Sequence, residues 1–170
     1  MTCQILTQDL LKELIHYEPL IGIFTRLKSK QIYKIGLIKT TPSKWGYFVI
    51  YVLGKQYKAH RLAWLYMTGK WPNNHIDHIN RNKIDNRFLN LREADDSNNN
   101  KNMGLKKVNT SGYKGVHYYK ARSNWMAAIR ADGKRKFLGY FKTAKEAGNA
   151  YDNYAKANHG EFYYKYGENV

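Results

Sequence analysis

Asp77 and His78 are adjacent in a His75-Ile-Asp-His78 run, Asn-Leu-Arg begins at Asn90, and a run of asparagines follows at 98–100. Whatever this chain folds into has to gather those groups from one short stretch. The set offers one carboxylate, one imidazole beside it, and carboxamides at fixed later positions. Hard anionic and amide oxygens suit a single divalent cation such as Mg²⁺ or Mn²⁺ better than Zn²⁺, which prefers nitrogen and sulfur. An imidazole with an ordinary pKa near 6.5 can take a proton from water at neutral pH. The pattern therefore points to one metal ion per site, activating chemistry beside a phosphate.

Charge indicates whose phosphate. Twenty-nine Lys and Arg face thirteen Asp and Glu, a net charge of +16. Such an excess is the electrostatic footprint of a polyanion binder. It is uneven: residues 1–60 carry +6, 61–100 only +1, 101–112 +3 and 113–170 +6. The near-neutral stretch holds the carboxylate, and basic stretches flank it. Double-stranded DNA is the expected partner, with no obligate protein partner and a monomer or a dimer as the working unit. Cys3 is the one cysteine, so neither an internal disulfide nor a cysteine zinc knuckle can form. No run is long and apolar enough to span a membrane, and no secretory leader is recognisable. An intracellular, cytoplasmic protein is expected.

Hydrophobic patterning suggests two folding units. Thr7 can cap a helix presenting Leu10, Leu11, Leu14 and Ile15. Residues 21–26 read as a strand. Residues 47–53 and 56–60 read as a hairpin around Gly54-Lys55. Leu62, Ala63, Leu65 and Tyr66 suggest a helix ending near Gly69. Residues 76–80 read as extended, 82–90 as a polar connection, and 103–111 as a basic linker. Beyond the linker, 113–119, 125–131 and 135–141 read as three strands, with Asp132-Gly133 as a hairpin signal. Thr143-Ala-Lys-Glu146 is a capping box opening a helix with Ala147, Ala150, Tyr151, Tyr154 and Ala155 on one face and Gly160 at its end.

The order Asp77-His78, Asn90, Asn99 resembles the HNH (ββα-metal) endonucleases, in particular the small phage and intron-encoded homing type. The resemblance implies that Asp77 is a metal ligand, His78 the general base, Asn90 the residue that holds the site loop, and Asn99 a second metal ligand on a helix. Asn98, Asn100 and Asn102 are neighbouring alternatives to Asn99. The same resemblance places a helix over 91–101, although the Asp/Asn run there has weak helix propensity. His60 and His75 are read as structural neighbours of the site.

Ser111-Gly-Tyr-Lys-Gly-Val-His117, Trp125 to Arg130, Phe137-Leu-Gly-Tyr-Phe141 and Thr143 to Ala147 resemble the Apetala, or ethylene-response-factor, DNA-binding domain. In that family a three-stranded sheet reads the major groove with one helix behind it. The resemblance implies contacts from His117, Trp125, Arg130, Arg135 and Phe137. Lys120, Arg122, Lys134 and Lys136 read as phosphate contacts.

The expected architecture is α+β. A small ββα-metal nuclease domain with N-terminal β-rich elements occupies 1–102. A basic linker spans 103–112. A three-stranded antiparallel sheet packed on one helix occupies 113–165. The expected activity is metal-dependent DNA cleavage with site selection by the C-terminal module. The rival readings are a DNA-binding regulator whose nuclease domain is inactive, and an RNA-binding protein. Cutting the chain near residue 107 should, on this reading, keep the chemistry and lose site preference.

Overall fold

The computed structural model describes residues 5–28, 34–105, 108–131 and 133–163. Cys3, Asp132 and the last residues of the expected C-terminal module lie outside them. The fold is α+β, and it divides into two compact units, Met1–Asp95 and Asp96–Val170. Among the described residues no helix is long and apolar enough to cross a membrane.

In the N-terminal unit Thr7 accepts a hydrogen bond from Leu10 N and starts α1 (Gln8–Leu14). The chain passes directly into β1 (Ile15–Glu18), which pairs antiparallel with β2 (Ile23–Arg26). β3 (Gly36–Leu37) adds to β2. β4 (Val49–Val52) and β5 (Lys55–Lys58) form a hairpin. Its turn is Leu53-Gly54, both at positive φ (51° and 77°). That conformation is natural for glycine and strained for leucine. It is one residue earlier than the Gly54-Lys55 turn read from the sequence. α2 (Ala59–Thr68) then starts at once, so Ala59 and His60 are helical, and Gly69 closes it in the left-handed conformation. The core gathers Leu11, Ile15, Tyr17, Phe24, Ile50, Val52, Leu62, Leu65, Ile76 and Leu91.

β6 (His75–His78) pairs antiparallel with β7 (Leu91–Ala94), with Asp77 opposite Arg92 and His78 opposite Leu91. This corrects the helix expected over 91–101. Leu-Arg-Glu-Ala favours a helix, but pairing with His75–His78 satisfies its backbone and buries Leu91 and Ala94. Tertiary pairing outweighs a propensity worth at most about 0.7 kcal/mol per residue. The helix, α3, covers only Asp96–Asn102.

In the C-terminal unit β8 (Val116–Tyr119), β9 (Asn124–Ala131) and β10 (Lys134–Phe141) form an antiparallel sheet in the order β10-β9-β8. α4 (Ala144–Asn158) packs on one face. Thr143 and Glu146 form the full capping box. Helix α4 ends at its C-cap His159, and the next residue, Gly160, takes a positive φ of 52° that stops the helix and opens a short 3-10 turn, Gly160–Phe162. Gly148 sits within α4 where a Cβ would collide with the Tyr113 ring.

Candidate active site

Hydrogen bonds fix the loop between β6 and β7. The Asn90 carboxamide accepts from Asn80 N (2.9 Å) and donates from Nδ2 to Asp85 O (2.8 Å). The Asn90 carbonyl accepts from Ile79 N at 2.9 Å, and the His78 carbonyl from Arg81 N at 2.8 Å. Asp85 accepts from Asn80 Nδ2 and from Arg87 Nε and Nη2. These bonds hold its carboxyl down at about 2. A second turn braces the loop from outside. Pro19 O accepts from Phe88 N (2.9 Å), and Tyr17 donates its hydroxyl to Asn86 O (2.7 Å). Gly22, at φ +73°, comes so close that a Cβ would lie 2.5 Å from Arg87 N.

This scaffold presents Asp77 and His78 at the end of β6, both buried at 8% and 4% exposure. Arg92 donates from Nε and Nη2 to the same oxygen, Asp77 Oδ2, at 3.1 and 2.9 Å. The His78 ring lies edge-on to His60, with centroids 5.0 Å apart and planes at 82°. Tyr47 packs on both rings, at 5.0 Å from His60 and 6.0 Å from His78. Lys58 and Lys83 place their ammonium groups over the Tyr47 ring, at 4.8 and 4.7 Å. Burial pushes the His78 imidazole below its usual value, against the opposing pull of Asn86 and the carboxylates of Asp77 and Asp85. Burial and the positive neighbours push His60 down to about 3. Both imidazoles are therefore neutral at pH 7, the form in which one can accept a proton.

Among the described residues no group of three or more His, Cys, Asp or Glu could hold a metal. A hard divalent cation that keeps most of its waters needs only one or two carboxylates from the protein. Asp77 fits that role, since a cationic group already sits on its buried carboxylate. Asn99 lies half-buried on α3, in the C-terminal unit. Asn98 accepts from Lys101 Nζ, and Asn102 is buried at 3% exposure. His75 is exposed at the start of β6.

Sequence reading gave no role to Tyr47 or Arg92 and gave His60 no contact with His78. Arg92 was visible within the Asn-Leu-Arg motif, but its place opposite Asp77 depends on strand register. Tyr47 is thirty-one positions from His78, and nothing local marks it.

In the C-terminal sheet the register sorts the expected DNA contacts between two faces. Trp125 packs with Val116, Ala127 and Ala147 on the α4 side. Lys136 is opposite Ile129, which packs on α4, and its ammonium lies 4.7 Å over the Tyr154 ring of that helix. Both are thus on the helix-facing side. His117 is opposite Met126, Arg130 opposite Arg135, and Phe137 opposite Ala128, all on the other face. Tyr140 joins them, 5.0 Å from Phe137 and 5.5 Å from Tyr119, with the Arg122 guanidinium 4.7 Å over its ring. Lys120 and Arg122 are exposed in the turn between β8 and β9. Two arginines directly opposite on a sheet repel each other, and a phosphate between them would relieve that.

A family model described as HNH endonuclease matches residues 57–101. The chain is 39% identical over 83 residues to Protein 3.8 of Escherichia phage T7, across 46% of this chain and 69% of that protein. It is 34% identical over 121 residues to an uncharacterized HNH endonuclease of Acanthamoeba polyphaga mimivirus, across 70% of this chain and 62% of that protein. Among solved structures, one of DNA binding and cleavage by the HNH homing endonuclease I-HmuI is similar. It has a TM-score of 0.43 and 21% identity, over 78% of this chain and 74% of that one.

Proposed function

We propose that this chain, which belongs to the HNH endonuclease family, hydrolyses phosphodiester bonds of double-stranded DNA with His78 as the general base. It is a DNA-cleaving hydrolase, and the family generally uses a divalent metal. The observation that carries the finer reading is His78 itself: a buried, neutral imidazole beside a buried carboxylate. Asp77, with Asn99, would hold Mg²⁺ or Mn²⁺. Bound there, the cation would polarise the scissile phosphate and neutralise charge on the leaving oxygen.

The chain's own groups do the rest. His78 takes a proton from the attacking water, help typically worth about 10²–10⁴-fold in rate. His60 and Tyr47 wall the imidazole in and exclude solvent from one side of it. Asn90 holds the loop that follows His78 and so fixes where the imidazole points. Site selection falls to the open face of the C-terminal sheet. There Arg130 and Arg135 grip phosphate or guanine edges, and His117, Phe137 and Tyr140 make base and sugar contacts. Lys120 and Arg122 hold the backbone. The division into a nuclease module at 1–102, a linker at 103–112 and a selector at 113–165 belongs to this proposal. So does the resemblance of the selector to the Apetala type.

Incubating purified protein with supercoiled plasmid tests the reading. Nicked or linear product is expected with Mg²⁺ or Mn²⁺, none with EDTA, and almost none with His78→Ala at unchanged DNA affinity. Tight DNA binding with the plasmid left intact in both metals would favour a DNA-binding regulator with an inactive nuclease domain.

A further inference from the structure

Asp77 and Arg92 face each other across the β6–β7 pair. Both side chains are only 10% exposed, and their closest approach is 2.9 Å. The guanidinium uses two donors on a single carboxylate oxygen. Burying two charges is expensive, and such a pair persists mainly because removing either partner strands the other. The carboxylate here is the one proposed to take a divalent cation. A guanidinium and a divalent ion on one carboxylate would repel strongly, because few waters reach between them to screen the charges.

We infer that Arg92 is the resident counter-ion of Asp77 in the metal-free protein and yields that place to the divalent cation, so that Arg92 sets the cation's affinity. The inference rests on the reading of Asp77 as a cation ligand. It gives the pair a purpose that stability alone does not. The buried carboxylate stays compensated while no metal is present, and idle metal binding is discouraged. The planar fork of a displaced guanidinium matches a phosphate. The DNA backbone supplies one, so cation loading and substrate arrival become coupled.

The test uses the full chain without DNA. Free Mn²⁺ is followed by its electron paramagnetic resonance signal during titration of the wild type, Asp77→Asn, Arg92→Gln and Arg92→Lys. Arg92→Gln should bind Mn²⁺ at least tenfold more tightly than the wild type. Arg92→Lys, which keeps the charge, should stay within about threefold of the wild type. Asp77→Asn should bind far more weakly. A second measurement does not depend on any variant folding: the ¹⁵N resonance of Arg92 Nε in the wild type should shift or broaden on saturation with Mg²⁺. Mn²⁺ binding to Arg92→Gln no tighter than to the wild type, or an Arg92 resonance unmoved by Mg²⁺, overturns the inference while leaving Asp77 as a ligand. Equal binding by Asp77→Asn and the wild type overturns both this inference and the metal-site reading.

Discussion

Asn90→Ala separates a scaffold from a catalyst. The Asn90 carboxamide is 8% exposed and makes two bonds across the loop, to Asn80 N and Asp85 O. Each such bond contributes about 1 kcal/mol net, and more where the abandoned partner stays dry. Asn80 is exposed and Asp85 half-buried, so water reaches both partners. The loss should therefore be about 2 kcal/mol. For a unit of this size that lowers the melting temperature by roughly 8–16 °C. Asn90→Asp keeps the acceptor for Asn80 N but sets a carboxylate oxygen against the Asp85 carbonyl, so it should melt lower still. Calorimetry on the full chain reads the N-terminal unit's transition, and plasmid nicking at a temperature where every variant is folded reads activity. Melting of Asn90→Ala within about 2 °C of the wild type, with cleavage lost, would refute the scaffold role and place Asn90 among the groups that touch the reacting phosphate.

Gly22→Ala should destabilise the N-terminal unit by at least about 2 kcal/mol, since a Cβ meets the Arg87 backbone at a positive φ; urea unfolding checks it. Thr143→Ala should cost about 1 kcal/mol through the lost cap of α4, read by the melting of the C-terminal unit. His60 is held at about 3 in the fold against about 6.5 unfolded, so the unfolded chain binds the extra proton. Stability should therefore be full above pH 6.5 and fall by about 2 kcal/mol on going to pH 5. His60→Phe should flatten that slope, and a wild-type melting temperature constant from pH 7 to pH 5 would refute it. Arg130→Ala or Arg135→Ala should reduce the salt slope of DNA affinity by about one. Phe137→Ala should weaken binding with the slope unchanged, and titrations at several salt concentrations distinguish the two.

Local signals in the sequence marked most elements. Thr7 and the Thr143–Glu146 box announced α1 and α4, and alternation announced β8 to β10. Signals failed where pairing decided the outcome. Leu91–Ala94 has the composition of a helix and became a strand because β6 lay alongside it. The direct step from α1 into β1 at Ile15 has no punctuating residue, so β1 was invisible. Asp77, His78 and Asn90 were legible because their chemistry is concentrated in one segment. Tyr47, the His60 contact and the Arg92 ion pair were not, because each arises from register or from two elements folding together. Trp125 and Lys136 show the same limit. A single strand's alternation says which residues share a face, but not which face the helix covers, and the β-bulge between Phe137 and Gly139 resets the alternation further along β10.

That limit changes the expected outcome of truncation. The sequence reading expects a cut near residue 107 to spare the chemistry, because the capping box, the hairpin signals and the change of composition at the linker mark a separately folding C-terminal unit. The helix that forms, α3, has seven residues, Asp-Ser-Asn-Asn-Asn-Lys-Asn. An isolated helix shorter than about 12–15 residues is marginal in water even with good formers, and asparagine is a poor one. The supports of α3 lie beyond the cut. Lys114 donates its ammonium to Lys101 O and Met103 O, both at 2.8 Å, satisfying carbonyls at the helix end. The 3-10 turn Gly160–Phe162 packs against it. With those removed α3 should melt, and Asn99 should lose its fixed place. A chain ending at residue 107 should then lose cleavage of any DNA by at least tenfold, as well as site preference, while the β6–β7 hairpin stays folded. Lys114→Met in the full chain should show part of the same loss, with the C-terminal sheet intact by its own melting transition. Plasmid nicking by the truncated protein at the full-length rate would mean that α3 carries no cation ligand and that Asp77 and His78 suffice.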